Sequence, residues 1–142
     1  MQQAKKLMLA MAVMLISALS ISAQNIHFVD GPSITDNGLT LSCSGKLAGL
    51  GNNKLVTVTL HTTATTITEC TNPGGNVAPG QTKTGTVSTS GLFSSDKNGN
   101  VIFSLTTDVP TPGKCPNGQW VGRVTDCSFA NTYVSVNGQR VN

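Results

Sequence analysis

Four cysteines, a single tryptophan and a group of side-chain amides are the residues of this chain best equipped for chemistry. Cys43, Cys70, Cys115 and Cys127 are even in number, which leaves three pairings open on count alone. Cys70 and Cys115 open similar turns, CTNPGG and CPNG. That likeness favours Cys70–Cys115, with Cys43–Cys127 joining strands nearer the two ends. A bridge from Cys70 to Cys115 would set the loop CTNPGGNVAPGQ beside CPNGQW. Asn72, Asn76, Gln81, Asn117 and Gln119 would then flank Trp120. An indole stacks on the apolar face of a pyranose while amides hydrogen-bond its hydroxyls, so these six residues form an expected sugar-binding surface. The competing role for Trp120 is to pack over the core or the disulfide, as amphipathic aromatics commonly do. The loop itself reads first as a pinned turn. Pro73 and Pro79 restrict the chain and the glycines allow positive φ.

Other chemistries find less support. Two histidines, His27 and His61, and one glutamate, Glu69, follow the leader. No nucleophile elbow, zinc-protease helix or histidine-flanked reactive cysteine accompanies them. His61 falls in phase with Thr57 and Thr59 on the polar face of a strand, where an exposed histidine has no catalytic duty. Glu69 and an aspartate would be needed as a glycosidase pair, and no spacing singles one out. No catalytic residue, cofactor or metal is therefore expected. Zinc would need cysteines or histidines closely spaced, and none are. DKNGN offers Asp96, Asn98 and Asn100 as oxygen donors, but only one is charged, so a turn accounts for it better than calcium. Gly74-Gly75 lacks the remaining residues of a phosphate-binding loop and the helix that would follow. The threonine-rich TVTLHTTATT suggests a water-ordering face that binds ice, yet no fixed-period repeat supports it.

The elements that must position these residues begin after a leader. Lys5 and Lys6 precede an apolar stretch from Leu7 to Ile16, and small residues end at Ser22-Ala23. Residues 1–23 thus read as a secretory signal peptide cleaved near Ala23, too short for a membrane anchor. Residues 24–142 are expected to be a single secreted domain, extracellular or periplasmic, where disulfides persist. The formal charge of +3 includes Lys5 and Lys6, so the domain keeps one excess positive charge, with its basic residues scattered. Nucleic acid is a poor partner for such a distribution, because phosphate binding wants a basic stripe.

Within the domain no helical period appears. GLTLSC and KLVTVTLHTTATTITEC alternate with the two-residue period of half-buried strands. The second tract shifts phase between Leu60 and Ile67, which predicts a bulge or bend near residues 62–65. TKTGTVSTSG reads as a polar edge strand. GLFSSDKNGNVIFSLTT reads as a hairpin: Phe93 approaches the turn, Asn98-Gly99 makes it, and Val101, Phe103 and Leu105 return. DVPTPGKCPNG is a loop, and QWVGRVTDCSF and NTYVSV are the last two strands. The expected fold is all-β, an antiparallel two-sheet sandwich of immunoglobulin-like size with seven or eight short strands and two disulfides. Trp120 lies too late for the tryptophan of an antibody domain.

AGLGNN before the threonine-rich strand, CTNPGGN after it, the NGN turn and KCPNGQ near the end resemble small secreted bacterial β-sandwich proteins of unknown function. The resemblance spans most of the domain and implies export and a small β-fold. It carries over no catalytic residue. The expected role is that of a secreted, non-enzymatic binding module for an extracellular polysaccharide or other surface polymer, acting as a monomer. A small effector, a toxin or inhibitor directed at a protein partner, is the alternative. An enzyme built on His61 and a carboxylate is a third class.

Overall fold

The computed structural model describes residues 25–142. The leader lies outside the described residues. Among the described residues there are eight strands: β1 (His27–Asp36), β2 (Leu41–Ala48), β3 (Leu55–Thr71), β4 (Val77–Pro79), β5 (Lys83–Ser94), β6 (Val101–Thr106), β7 (Val121–Val136) and β8 (Gln139–Val141). They form two sheets, and every pairing is antiparallel. The smaller sheet runs β1-β2-β6. The larger is built on β3, which pairs with β7 along one side and with β5 and then β4 along the other, while β8 adds to β7. The expected sandwich-like all-β fold is present.

Alternation in β3 dictates what faces inward. Val56, Val58, Leu60, Thr62, Ala64, Thr66, Thr68 and Cys70 are all buried, every second residue without a break. The expected phase shift in this strand does not occur. It rested on Ile67 facing inward, and Ile67 is instead an exposed side chain, 45% accessible. The irregularity belongs to the neighbouring strand. Between Tyr133 and Ala130, and again between Asp126 and Val124, β7 carries an extra residue relative to β3. Asn131, in the first bulge, has a positive φ of 54°, a conformation that asparagine tolerates better than most residues.

The hydrophobic core fills only part of the molecule. Val56, Val58 and Leu60 of β3, with Val134 and Val136 of β7, meet Cys43, Leu47, Val101, Phe103 and Leu105 of the smaller sheet. Phe93 packs on this cluster and meets Phe103 edge-on, with ring centroids 6.4 Å apart. Beyond Leu60 the larger sheet presents threonines on its inner face, and their cover is described below.

The tight hairpin expected at Asn98-Gly99 lies elsewhere. Asn98-Gly99 does connect β5 to β6, but these strands belong to different sheets, so the segment is a crossover and not a hairpin. Gly99 alone of the pair has positive φ, at 78°. The Asp96 carboxylate accepts the amides of Asn98 and Asn100, which organises the turn and holds its carboxyl below the usual range. The true two-residue hairpin is Asn137-Gly138, with φ of 48° and 86°, joining β7 to β8. The two strands expected between Gln119 and Val136 are one bulged strand, β7. Strand β1, for which the sequence offers no clean alternation, is broken by register shifts near Asp30 and is exposed almost throughout.

Candidate functional site

The chain leaves β6 at Thr106 and runs without regular structure to β7. This segment, residues 107–120, forms a strap over the threonine-lined half of the larger sheet. Its first residue is fixed to β2 by two bonds: Thr107 N–H donates to Leu41 O, and Thr107 Oγ1 accepts from Leu41 N–H, both at 2.9 Å. At its centre Gly113 N–H donates to Thr68 Oγ1 at 2.7 Å. Gln81 N–H then donates to the Lys114 carbonyl at 2.9 Å, and Gly80 N–H to the Thr68 carbonyl at 2.8 Å. Cys70 and Cys115 are joined by a disulfide, as expected, with Cα atoms 5.8 Å apart.

Two glycines make this layer possible. A Cβ on Gly113 would sit 2.0 Å from the Gln81 carbonyl oxygen, and one on Gly80 would lie 2.8 Å from the Cys70 sulfur. Neither leaves room for a side chain: at Gly113 the strap meets the backbone of the β4–β5 connection, and at Gly80 that connection lies against the Thr68 and Cys70 side chains of β3.

Along this seam runs a cleft of about 420 Å³ lined by Gln81, Thr82, Lys83, Thr84, Pro112, Gly113 and Lys114. A second hollow of about 340 Å³ continues it past Pro79, Gly80, Cys115 and Pro116. Gln81 and Lys114 line both, so the two hollows adjoin along the Gln81–Lys114 backbone bond and together make an open groove beside that seam. Lys83 Nζ donates to Thr111 Oγ1 of the strap, beside a neighbouring hollow that both residues line.

The expected sugar-binding residues divide around this groove. Gln81 lines it. Asn72 and Asn117 use their side-chain oxygens on their own turns, accepting from Asn76 N–H at 2.8 Å and Gln119 N–H at 3.0 Å. Asn76 and Gln119 are exposed, on the β3–β4 turn and the far end of the strap. Trp120 is half-buried just before β7 and stands apart from the hydrophobic core cluster. Its backbone N–H closes a turn on the Asn117 carbonyl at 3.2 Å. Lys83 and Lys114, absent from the expected set, are the charged residues of the groove. Their signal was present: Lys114 adjoins the bridged Cys115, and Lys83 follows Gln81 by two positions.

The second expected disulfide, Cys43–Cys127, is not formed. Cys43 lies on the smaller sheet within the hydrophobic cluster, whereas Cys127 lies on the larger sheet opposite Thr66, outside that cluster. Both are buried free thiols. Burial pushes the Cys43 thiol above its ordinary pKa, and burial does the same for Cys127 against a smaller opposing hydrogen bond with Thr66. Both thiols stay protonated at neutral pH, a poor state for a nucleophile.

His61 lies on the opposite, outward face of the larger sheet, as its phase indicated, but it is half-buried. Its ring stacks on Tyr133 at 4.5 Å and 9°, and Nε2 lies 2.7 Å from Ser135 Oγ. The Arg140 guanidinium covers the Tyr133 ring at 4.5 Å. Hydroxyls do line this face in register on two strands, but they bond one another, Thr59 with Ser90 at 2.8 Å and Thr65 with Thr84 at 3.2 Å. Among the described residues no group of three or more His, Cys, Asp or Glu side chains is placed to hold a metal ion. No family model matches this chain, nor does any curated protein or solved structure.

Proposed function

We propose that this protein is a secreted binding module that holds an extracellular polysaccharide in the groove between the strap and residues 79–84. The observation that carries this reading is the pinned seam beside that groove. A disulfide and three hydrogen bonds, from Gly80, Gln81 and Gly113, fix the two loops in one arrangement. A surface that is already ordered loses little conformational freedom when it binds. The lining suits sugars: the Gln81 amide and the Thr82 hydroxyl can donate and accept, while Pro112 gives an apolar patch. An open groove suits a polymer that passes through it. Trp120, half-exposed at the end of the strap, would stack on a further ring of the same chain. The disulfide also fits an oxidising, extracellular type of environment.

The test is retention of oxidised residues 24–142 on a panel of insoluble polysaccharides and cell-wall material. Wild type should be retained on at least one of them, and Gln81→Ala and Trp120→Ala should each be retained less while melting within a few degrees of wild type. Retention of wild type on no polysaccharide would end this reading. Capture of one specific protein from culture medium, together with that failure, would favour an effector acting on a protein.

A further inference from the structure

We infer that the groove takes an anionic sugar chain, one whose units carry carboxylates. This rests on the polysaccharide reading above and names the class within it. The observation is an uncompensated pair of cations. Lys83, the first residue of β5, and Lys114, on the strap, line the same 420 Å³ cleft. The side-chain partner of Lys83 is a neutral hydroxyl, Thr111 Oγ1. Among the described residues the one ion pair is Arg123 with Glu69, at 2.9 Å, and Glu69 lies in the outward-facing row of β3. No carboxylate lines the cleft. Two lysines line one cleft with no carboxylate in its lining, so a ligand carboxylate would meet positive charge there.

The rest of the lining narrows the chemistry further. The cleft lining has no aromatic side chain to stack a nucleobase and no arginine fork to grip a phosphate. It offers hydroxyls, an amide and two point charges, which match the hydroxyls and carboxylates of a uronic acid chain. Gln81 and Thr82 read the hydroxyls, while Lys83 and Lys114 neutralise the acid groups.

The experiment compares retention on crosslinked polygalacturonate with retention on the same polymer after its carboxyls are reduced to alcohols. Wild type should bind the acidic form about tenfold more tightly, with each lysine contributing about two- to fivefold, as exposed charge pairs do. Lys114→Gln and Lys83→Gln should lose that preference stepwise. Lys114 is exposed, so its variant tests the charge even if Lys83→Gln loosens the strap at Thr111. Lys97→Gln, on the turn between β5 and β6, should leave binding unchanged. Equal retention on both polymers would overturn this inference and leave the polysaccharide reading intact. So would retention confined to other, neutral materials of the panel. An acid preference unaffected by the two groove lysines would remove it from this groove. Retention on no polysaccharide of any kind would sink both.

Discussion

The two halves of the larger sheet share a backbone and differ in what covers them. From Leu55 to Leu60 the inner face of β3 is apolar and meets a second sheet. From Thr62 to Cys70 it is mostly threonine and meets an irregular strap. Side chains cover the first half, and dispersion and area are enough to hold it. Backbone covers much of the second, and backbone brings N–H groups that must find acceptors. Threonine supplies them. Thr68 Oγ1 takes the Gly113 amide, while the Thr62 hydroxyl is satisfied within the sheet, donating to the Ala130 carbonyl of β7 beside Thr132 Oγ1. No buried side-chain polar atom among the described residues is left without a partner. What this half lacks in apolar area the Cys70–Cys115 bridge supplies, by closing a separation of 45 residues. One half is held by its core and the other by hydrogen bonds and a covalent tie. The groove belongs to the second.

That division sets an order of expected effects. Phe103→Ala empties the centre of the apolar half, where Phe103 is 1% exposed, and should cost about 3–5 kcal/mol in urea unfolding at pH 7. A loss well under 1 kcal/mol would mean that this cluster is not what holds the fold. The paired change Cys70→Ser with Cys115→Ser should cost about 2–4 kcal/mol. Amide hydrogen exchange should then quicken in residues 107–120 well before it quickens in β2 and β6. Uniform loss of protection would erase the distinction between the halves.

Smaller changes sharpen the comparison. Thr68→Val keeps the volume but strands the Gly113 amide, and should cost about 1–3 kcal/mol. Thr63→Val, on the outward face of the same strand, should be close to neutral, and equal costs at the two positions would refute the strap's need for an acceptor. The mildest effect belongs to Asp96. Its carboxyl is held below the ordinary value by the Asn100 and Asn98 amides, so its contribution is present above the unfolded-state pKa and fades as pH falls through the lower folded value. Asp96→Asn should lower the melting temperature slightly at neutral pH and converge on wild type in acid, which flattens that limb of the profile. An unchanged acid limb would mean the turn does not depend on the charge.

The same contrast explains how far the sequence could be read. Val56, Val58 and Leu60 announce an inward face because their cover is apolar and they are too. Thr62, Thr66 and Thr68 are equally buried, but threonine is as common on a solvent face, so hydropathy assigns them outward and Ile67 inward. The cover decided, and it comes from residues more than forty positions away. The Cys70–Cys115 bridge was legible because each cysteine opens a matching turn. Cys43 and Cys127 offered only their parity, and parity carries no geometry. Asn98-Gly99 and Asn137-Gly138 present the same dipeptide, and only the sheets to which their flanking strands belong separate a crossover from a hairpin. The amides of Asn72 and Asn117 were visible as polar groups, but not as groups already committed to their own turns.

The most direct measurement is to map the contact of a soluble oligogalacturonate on the oxidised domain by backbone amide shifts in solution. The account predicts shifts concentrated in residues 79–84 and 110–116, absent from β2 and β6, and abolished by the change Cys70→Ser with Cys115→Ser. Shifts gathered instead on Thr57, His61 and Tyr133 would place binding on the opposite face of the sheet and contradict it.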